Sequence, residues 1–444
     1  MSFTFEELVS IEVNSVINSD NLLSCNNKYN ISTDTRTLKS GDVYLPLKGE
    51  SFDGEKFIEK ALQNGAVGYF TTDINKKPLG NEFIIYVNDC KLAYLQLASL
   101  YRKKISPVVV GVTGSSGKTT TKELLASIFS KNVKTHKSKL NHNNEIGLCQ
   151  TLLTMPVDTE VLIVEMGMRG LGEIDLLSKF ASPDFAVITN IGTAHIGRLG
   201  SRENIAKAKC EIVNYFNENA KLITLDDEIF DRTLLNSNVQ RSIVLQDENS
   251  FQILEAKNDY SKFVYKNEIY EINAGGEYLL QDAILAIEVA LLYGLASKDI
   301  KNALMSYVPM DNRFAEISVS GYKVINDSYN ANPDSMKASL KTFLELYSGK
   351  KTVVLADMKE LGDDEVFYHQ ELGEYLNKYS DFELITVGDL AKYISEKFNY
   401  TSLHFGSNID VVNYIKNKQS KSDYIFLKGS RSMKLEEIIE GLDK

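Results

Sequence analysis

The chain has 444 residues, 43% of them hydrophobic and 25% charged, a balance typical of a globular protein with several cores. Its formal net charge of −11 argues against nucleic acid or an anionic membrane surface as the main partner. The sequence shows no signal-peptide pattern and no run of about 20 apolar residues, so we expect a cytoplasmic protein without a membrane span.

The cysteines and histidines exclude several kinds of site. Cys25, Cys90, Cys149 and Cys210 are scattered without a CxxC pair, and none of the five histidines belongs to an HExxH motif. This spacing argues against a disulfide framework, a cysteine zinc site and an HExxH zinc hydrolase. We expect all four cysteines to be small core residues.

The first block of the chain has short mixed elements. Strand-like stretches at 42–47 and 82–87 flank a helix-like stretch at 55–66. This pattern predicts a small α/β unit that ends near residue 105.

The rest of the chain alternates buried strands with helices. PVVVGV, VLIVEMG, DFAVITN and KLITL are the strands of a second block, an order typical of a parallel sheet. KTVVLADM, ELITVGD, LHFG and YIFLKG repeat the pattern in a third block, in the doubly wound manner. We therefore predict an α/β protein with a small α/β N-terminal domain (1–105), a central parallel-sheet domain (106–310) and a C-terminal Rossmann-like domain (311–444).

A phosphate-binding turn opens the central block. In GVTGSSGKTTTKE (111–123) an apolar strand runs into a Gly/Ser/Thr turn and then a helix, the setting of a Walker A-like sequence, although the strict GxxxxGK spacing is not met. Backbone N–H groups would hold phosphates, while Lys118 adds a cation and Thr119 a hydroxyl for Mg²⁺. The alternative is an ordinary glycine turn that caps a helix. The predicted P-loop-type ATP site comprises Gly114, Ser115, Ser116, Gly117, Lys118, Thr119 and Thr120.

Two polar sets follow other strands of the same sheet, at the edge where open α/β sheets bind ligands. Glu165 ends VLIVEMG, where its carboxylate could serve as a second Mg²⁺ ligand beside Thr119, although taken alone it fits a solvated strand end equally well. Asn190, His195 and Arg198 follow DFAVITN. A lone histidine is more often structural than a ligand, so His195 gains weight only from its surroundings.

Lys209 is the most informative single residue. In RENIAKAKCEIVNYF (202–216), helical periodicity gathers the apolar residues on one face, with Lys207 and Glu211 opposite and Lys209 inside the apolar face. Three states are compatible with this position: a snorkelling lysine at the rim of the core, an ion pair with substrate, or a neutral amine that reacts with CO₂ to give a metal-binding carbamate. Spacing alone favours the first.

These motifs together resemble the Mur ligases of peptidoglycan synthesis. The resemblance rests on GVTGSSGKTTTKE, VLIVEMG, NIGTAH, IAKAKCE, NRFAEI, NDSYNANPDSM and KGSRSMKLEE, and it covers nearly the whole chain. Within the family it is greatest to the ligase that joins D-alanyl-D-alanine to UDP-N-acetylmuramoyl-tripeptide through an acyl phosphate. It implies that the three domains bind, in order, the UDP-sugar peptide, ATP with Mg²⁺, and the incoming amine with part of the nucleotide.

The resemblance assigns roles to the motif residues. It gives Lys118 a phosphate role and makes Thr119 and Glu165 ligands of a first Mg²⁺. His195 becomes a ligand of a second Mg²⁺, and Lys209 matches the lysine that is carbamylated in the family, where the carbamate helps to hold that ion.

The third domain contributes further nucleotide contacts by the same resemblance. Arg313 matches the arginine that reaches the ATP γ-phosphate, and Asp327 and Asn330 match nucleotide-contacting positions. The sequence departs from the family at YLLQD (278–282), where His-Asn-x-x-Asn is usual. Asp282 can still accept a hydrogen bond from an adenine amino group, whereas Leu279 cannot replace an amide.

The first domain carries the expected substrate residues. Thr35 and Arg36 stand where the family usually has Ser-Arg in its uridine-binding segment, and Asn143 and Asn144 lie near the expected substrate channel. Glu55 replaces a usual histidine and is given no substrate role.

Other functions remain open at this point. One alternative is another ligase of the same architecture, such as the one that adds the third residue of the peptide or a folylpolyglutamate synthase. The pairing of NDSYNANPDSM with KGSRSMK argues against it. A catalytically silent nucleotide-binding or scaffold protein is supported by YLLQD and opposed by Lys118, Glu165, His195 and Lys209. We expect a monomer, because no coiled coil or association segment is visible.

Overall fold

A computed structural model gives the fold of most of the chain. It describes residues 2–18, 27–49, 51–139, 141–234, 239–244, 250–418 and 422–443. Its backbone contacts divide the chain into two compact units. The first runs to Val108 and adds His136–Val164 and Lys179–Ala181; the second comprises Val109–Thr135, Glu165–Ser178 and the described chain from Ser182 onward.

The first unit is built on a five-stranded sheet. Its centre, Gly68–Thr71 paired in parallel with Phe83–Tyr86, is buried along its whole length, as expected for aromatic and β-branched residues covered on both faces. In sheet order the strands are Ser15–Ile17, Phe83–Tyr86, Gly68–Thr71, Val43–Tyr44 and Ile31–Ser32. The remaining elements are the antiparallel pair Phe3–Thr4 and Lys28–Tyr29, the helices Phe5–Val9, Ile58–Gln63, Cys90–Ile105 and Glu145–Leu153, and the 3₁₀ turn Gly54–Phe57.

The second unit begins with parallel strands that lead to the phosphate-binding turn. Val108–Thr113 pairs in parallel with Phe185–Ile188, which pairs with Lys221–Leu225, and that strand pairs with Gln240–Val244. The accompanying helices are Lys118–Phe129, Glu173–Ala181, Ile196–Leu199, Arg202–Cys210, Glu228–Thr233, Glu277–Tyr293 and Ser297–Leu304, with a 3₁₀ turn at Glu211–Val213. The strands Thr135–Lys137 and Val161–Glu165, like Val108–Thr113, contain points at which the chain passes from one unit to the other.

Two more sheets complete the second unit. One is antiparallel, with the strands Phe251–Ala256, Ser261–Tyr265 and Glu268–Ile272. The other has six strands, parallel except for its antiparallel edge strand; in sheet order they are Ala315–Val319, Tyr322–Asn326, Tyr424–Lys428, Lys351–Ala356, Glu383–Val387 and Ser402–Phe405. Its helices are Pro333–Leu346, Glu365–Leu376, Lys392–Lys397, Asn408–Asn417 and Glu436–Asp443, with 3₁₀ turns at Gly362–Asp364 and Arg431–Met433.

The structure confirms the α/β class with parallel sheets and corrects one helix. The helix predicted over 202–216 ends at Cys210 and continues only as the 3₁₀ turn Glu211–Val213. The cause is tertiary, because the Glu211 carboxylate accepts hydrogen bonds from the backbone N–H groups of Gly172 (2.7 Å) and Asp175 (3.1 Å).

The cysteines behave as expected where they are described. Cys90, Cys149 and Cys210 are free and buried, while Cys25 lies outside the described residues. None of the helices in the described ranges has the length and hydropathy of a membrane span.

Candidate nucleotide and metal site

The phosphate loop is the turn of residues 114–117 between the strand Val108–Thr113 and the helix Lys118–Phe129. Gly117 caps the helix with φ 78°, in the left-handed region, and a Cβ there would lie 2.3 Å from Oδ1 of Asp282. Only glycine meets both conditions without strain. The free N–H groups of the first helical turn point out of such a loop, as anion binding requires.

Two residues of the neighbouring strand end hold the phosphate loop in shape. The Asn190 amide accepts from the Ser116 N–H (3.2 Å) and donates to the Ser116 carbonyl (3.2 Å), and Thr189 Oγ1 donates to the same carbonyl at 2.5 Å. Sequence reasoning placed Asn190 near the site but gave it no role, because an amide that binds backbone leaves no spacing signature.

Thr119 and Glu165 come together as predicted. Thr119 Oγ1 donates to Oε2 of Glu165 at 3.0 Å, and both residues are buried. A hydroxyl and a carboxylate are the oxygen donors that Mg²⁺ takes from phosphoryl-transfer sites, where substrate phosphates and water complete the shell. In the described part of the chain no group of three or more His, Cys, Asp or Glu side chains could hold a metal, and a phosphate-bridged Mg²⁺ does not need one. These residues fit the first Mg²⁺.

Cationic side chains surround this pair. Lys118 Nζ donates to the Gly114 carbonyl (2.8 Å), and burial lowers the pKa of Lys118, partly opposed by the charge of Glu165. Lys122, fully buried one turn further along the helix, places Nζ 3.6 Å from Oε2 of Glu165. Sequence reasoning missed Lys122, which follows the motif residues at helical spacing. The local positive charge suits a polyphosphate in a protein of negative net charge.

Arg313 reaches the phosphate loop across a long sequence separation. Its NH2 group donates to Thr119 Oγ1 at 3.1 Å, 194 residues away in the chain, and its guanidinium lies 3.8 Å from the ring centroid of Tyr329. The buried Nε has no hydrogen-bond partner within the described ranges, so it can donate to a phosphate oxygen. The structure therefore brings Arg313 beside Lys118 and Thr119, while its contact with the ATP γ-phosphate stays a prediction.

Lys209 is buried as its helical face predicted. Only 2% of the residue is exposed, whereas Lys207 on the same helix is exposed. Burial, together with the nearby charge of Lys118, holds the pKa of Lys209 well below its usual range. The snorkelling lysine at the rim of the core, which spacing alone favoured, is therefore wrong, and the lowered pKa favours the neutral, nucleophilic form of the amine.

His195 lies against a residue that the sequence did not suggest. Its Nδ1 is 2.7 Å from Oε2 of Glu360, on the loop after the strand Lys351–Ala356, and this contact lowers the pKa of Glu360. Mg²⁺ prefers oxygen ligands, and neither an imidazole nor a lysine amine supplies one, so a second Mg²⁺ would require Lys209 to carry a carbamate.

A cavity of about 430 Å³ adjoins the phosphate loop. Asp282 lines it, and burial raises the pKa of this carboxyl to about 8, although the neighbouring Thr121 hydroxyl and the charge of Arg313 act in the opposite direction. Asp327 also lines the cavity and accepts from Lys428 Nζ at 2.5 Å. Asn330 is exposed and is not among the cavity-lining residues, so its nucleotide role remains a prediction.

The predicted substrate-binding residues of the first unit form hydrogen bonds or ion pairs with nearby residues of the same unit. Arg36 is exposed and forms a forked ion pair with Asp34, while the Thr35 carbonyl accepts from Asn64. Asn144 caps the helix Glu145–Leu153 by accepting from the Gly147 N–H at 2.9 Å. Neither Thr35 nor Arg36 lines the cavity of about 640 Å³ in this unit.

Two other predictions fall in the same unit. Glu55 accepts hydrogen bonds from Thr71 and Thr72, a structural use consistent with giving it no substrate role. The backbone N–H of Asn143 donates to the Asn141 carbonyl at 2.8 Å, and a substrate role for its side chain remains a prediction.

Fold and site define an α/β protein with a P-loop-type nucleotide site to which the C-terminal part contributes an arginine. Three family profiles match the chain in order: "Mur ligase family, catalytic domain" over residues 28–102, "Mur ligase middle domain" over 112–306, and "Mur ligase, glutamate ligase domain" over 312–431. The chain belongs to the Mur ligase family.

Individual relatives agree with this assignment. The chain is 38% identical over 426 residues to a protein of Bacillus subtilis named UDP-N-acetylmuramoyl-tripeptide–D-alanyl-D-alanine ligase, with 93% of each chain covered. Among solved structures it is similar to MurF from Acinetobacter baumannii, with TM-score 0.89, 28% identity and coverage of 100% and 99%. It is also similar to MurF from Thermotoga maritima in complex with ADP, with TM-score 0.85, 28% identity and coverage of 94% and 97%.

Proposed function

We propose that the chain is an ATP-dependent, ADP-forming amide ligase that joins D-alanyl-D-alanine to UDP-N-acetylmuramoyl-tripeptide, forming the pentapeptide precursor of peptidoglycan. The observation that carries this proposal is the hydrogen bond from Arg313 to Thr119, which sets a C-terminal cation beside the phosphate loop. The substrates are those in the name of the Bacillus subtilis relative. We place the reaction in the cytoplasm, where ATP is available.

Each of the three predicted domains is proposed to bind a different substrate. We assign residues 1–105 to the UDP-sugar peptide, with Thr35 and Arg36 as substrate contacts, 106–310 to ATP and Mg²⁺, and 311–444 to the amine. The three family profiles, which match in this order, support the assignment. Asn143 and Asn144 are proposed to line the path of the peptide.

The first half-reaction activates a carboxylate. A free carboxylate is a poor acyl donor, so the terminal carboxylate oxygen of the tripeptide attacks the γ-phosphorus of ATP and ADP leaves, giving an acyl phosphate. Lys118 and Arg313 would stabilise the charge on the transferred phosphoryl group, and Thr119 with Glu165 would hold Mg²⁺. When bound, the ion neutralises charge shared by donor and acceptor.

The second half-reaction forms the amide. The amine of D-alanyl-D-alanine attacks the acyl carbon, its C–N bond forms, phosphate leaves, and the amine proton passes to solvent. Residues of the C-terminal part, including Asp327 and Asn330, are proposed to contact the nucleotide during this step. Asp282 is proposed to contact the nucleotide from the cavity wall.

Lys209 is proposed to act as a carbamate. Its neutral amine attacks CO₂, a C–N bond forms and one proton is released, which converts a buried nitrogen into an anion. The low pKa of Lys209 supports the neutral amine that this step requires. The carbamate and His195 would then hold a second Mg²⁺.

Phosphate release tests the function directly. The protein is given ATP, Mg²⁺ and UDP-N-acetylmuramoyl-tripeptide, with and without D-alanyl-D-alanine, and each alternative amino acid acceptor in turn. We expect release that depends on the dipeptide. Release with a different acceptor would indicate another ligase of the family, and no release from a folded, ATP-binding protein would indicate a silent homologue.

A further inference from the structure

Arg313 is held by an aromatic ring rather than by a carboxylate. Its guanidinium carbon lies 3.8 Å from the ring centroid of Tyr329, at van der Waals contact distance, and its NH2 group donates to Thr119 Oγ1 at 3.1 Å. No acidic side chain in the described part of the chain forms an ion pair with Arg313, and the buried Nε has no hydrogen-bond partner there. Arg313 therefore keeps its charge and most of its donors for a ligand.

Other cations lie near Arg313. Lys428 lines the same cavity of about 430 Å³; burial lowers the pKa of Lys428, the charge of Asp327 opposes this, and the charge of Arg313 adds to it. Burial also lowers the pKa of Lys118, and the charge of Arg313 again acts in the same direction. Because like charges repel, a freely moving guanidinium would turn away from these lysines until a polyphosphate arrives. Arg313 needs a fixed support.

Asn326 ties the loop that carries Tyr329 to the segment that carries Arg313. The Asn326 side chain accepts a hydrogen bond from the Ser328 hydroxyl at 2.7 Å and donates one to the Asp311 carbonyl at 3.0 Å. Ser328 directly precedes Tyr329, and Asp311 lies two residues before Arg313. The ring and the guanidinium are therefore presented by backbone segments that are bonded to each other.

The backbone beside Arg313 is fixed as well. Phe314 has φ 59°, in the left-handed region that side-chain-bearing residues rarely adopt, and its ring packs against Phe426 and Tyr347 at centroid distances of 6.0 and 6.2 Å. Such conformations persist only where the surrounding structure holds them, and they are concentrated at functional sites. Packing thus fixes the start of the Arg313 side chain, and Tyr329 supports its far end.

The face of a tyrosine ring suits this task better than a carboxylate. The N–H donors of a guanidinium lie in its plane, so contact through its face leaves them free. A bidentate carboxylate would occupy two of those donors and cancel the charge. The attraction between a cation and a ring face still holds the group in place.

We propose that Tyr329 is a positioning residue that holds Arg313 ready for the γ-phosphate, and that it thereby sets the preference of the site for a nucleoside triphosphate over the diphosphate. The inference rests on the proposed function, in which Arg313 reaches the γ-phosphate. Tyr329 is not among the residues that line the cavity, so the inference assigns it no contact with the nucleotide.

Calorimetry with nucleotides tests this role without turnover. The Kd is measured for a non-hydrolysable ATP analogue and for ADP, each with Mg²⁺, for the native protein, Tyr329→Leu and Tyr329→Phe. We expect Tyr329→Leu to weaken binding of the analogue about 3- to 30-fold, the range of a cation–π contact, and to leave the Kd for ADP within about twofold of native. Tyr329→Phe keeps the ring and should keep the native preference. A general loss of fold would instead weaken both nucleotides alike.

Two further comparisons show whether Tyr329 acts through Arg313. In an Arg313→Ala background, Tyr329→Leu should change the preference no further, because residues in contact are not additive. Tyr375→Leu is the matched control. Its ring, half-buried like that of Tyr329, lies 4.6 Å from Lys378 Nζ in another cation–π contact of the C-terminal part, and the native preference should remain.

Each result decides the inference. It is overturned by a ratio of the two Kd values in Tyr329→Leu that stays within about twofold of native, by an equal loss in Tyr329→Phe, or by losses that add to those of Arg313→Ala. A native ratio in Arg313→Ala removes the γ-phosphate role of Arg313 and this inference with it. If the native protein prefers the triphosphate but shows no dipeptide-dependent phosphate release, the proposed ligase reaction fails, while the Kd values still decide the role of Tyr329.

Discussion

Lys209 shows how burial turns an ordinary side chain into a chemical group. Its helix buries it, and burial together with the charge of Lys118 lowers its pKa, partly opposed by Cys210. If Lys209 carries the proposed carbamate, we expect Lys209→Ala to reduce dipeptide-dependent phosphate release at least about 100-fold, because a buried anion that would hold a metal is lost. Added short-chain carboxylate should restore part of the rate by entering the space left behind.

The helix provides its own control for this prediction. Lys207→Ala makes the same truncation two residues earlier, at an exposed position, and should leave phosphate release within about twofold of the native rate. Equal losses in the two variants, or a Lys209→Ala protein with native activity, would rule out the carbamate.

Asp282 makes stability depend on pH. Its pKa is raised from 3.8 to about 8, so its contribution to stability is fully present below about pH 4 and is lost as pH rises through about 8. Between pH 6 and pH 8 we expect the native protein to lose about 2 kcal/mol relative to Asp282→Asn, from 1.36 kcal/mol per pH unit. Urea unfolding at several pH values measures this difference.

The protonation state of Asp282 also affects how the site can bind a nucleotide. A neutral carboxyl can lie against Gly117 of the phosphate loop without repelling a triphosphate, whereas an ionised one cannot. If the free energy of unfolding changes with pH in the same way in the native protein and in Asp282→Asn, this carboxyl is ionised at neutral pH. The exposed variant Asp363→Asn should follow the native curve.

Among the elements, the phosphate loop depends on a side chain outside it. Asn190 binds both the N–H and the carbonyl of Ser116. Asn190→Ala leaves the Ser116 N–H without this acceptor, at a cost of about 1–3 kcal/mol, while the Ser116 carbonyl keeps only the hydrogen bond from Thr189 Oγ1. We expect the Kd for an ATP analogue to rise about 10-fold or more. Calorimetry measures the Kd, and Asn214→Ala, which removes an exposed amide bonded to Asp175, is the control. An unchanged Kd would show that the loop holds its shape without Asn190.

Sequence periodicity predicted the elements that present the site. The spacing of apolar residues predicts three features: the helix start at Lys118, the strand end at Glu165 and the buried helical face that includes Lys209. It can do so because neighbouring residues determine apolar strands and helical faces. The end of the helix at Cys210 was missed, since it depends on Glu211 accepting hydrogen bonds from a segment distant in sequence.

The spacing of apolar and polar residues could not predict contacts between residues that are far apart in the chain. The Arg313 to Thr119 bond spans 194 residues and was expected only through family resemblance. The His195 to Glu360 contact had no signal at all, because neither residue departs from an ordinary loop composition. Which side chains meet at the edges of two sheets depends on how those sheets dock, and periodicity within one element carries no information about docking.

At the scale of the whole molecule, the C-terminal part contacts the loop that follows the strand Phe185–Ile188, next to the strand that leads to the phosphate loop. Asp334, in the first turn of the helix Pro333–Leu346, accepts from the Thr193 N–H (2.7 Å) and from Thr193 Oγ1 (2.8 Å), 141 residues away. An acyl phosphate is open to water unless the amine and the nucleotide parts are held together. We therefore expect the contact of Asp334 with Thr193 to help couple phosphate release to amide formation in the proposed reaction.

Removing this contact should uncouple the two half-reactions. In Asp334→Ala we expect amide formation to fall about 10-fold, the loss of hydrogen bonds to a charged acceptor, while more than one phosphate is released per pentapeptide because water reaches the acyl phosphate. Phosphate and pentapeptide are measured in the same reaction. Asp299→Ala removes an acid from the first turn of another helix, Ser297–Leu304, and controls for loss of helix stability alone. A ratio that stays at one phosphate per pentapeptide would show that docking at Thr193 does not protect the intermediate.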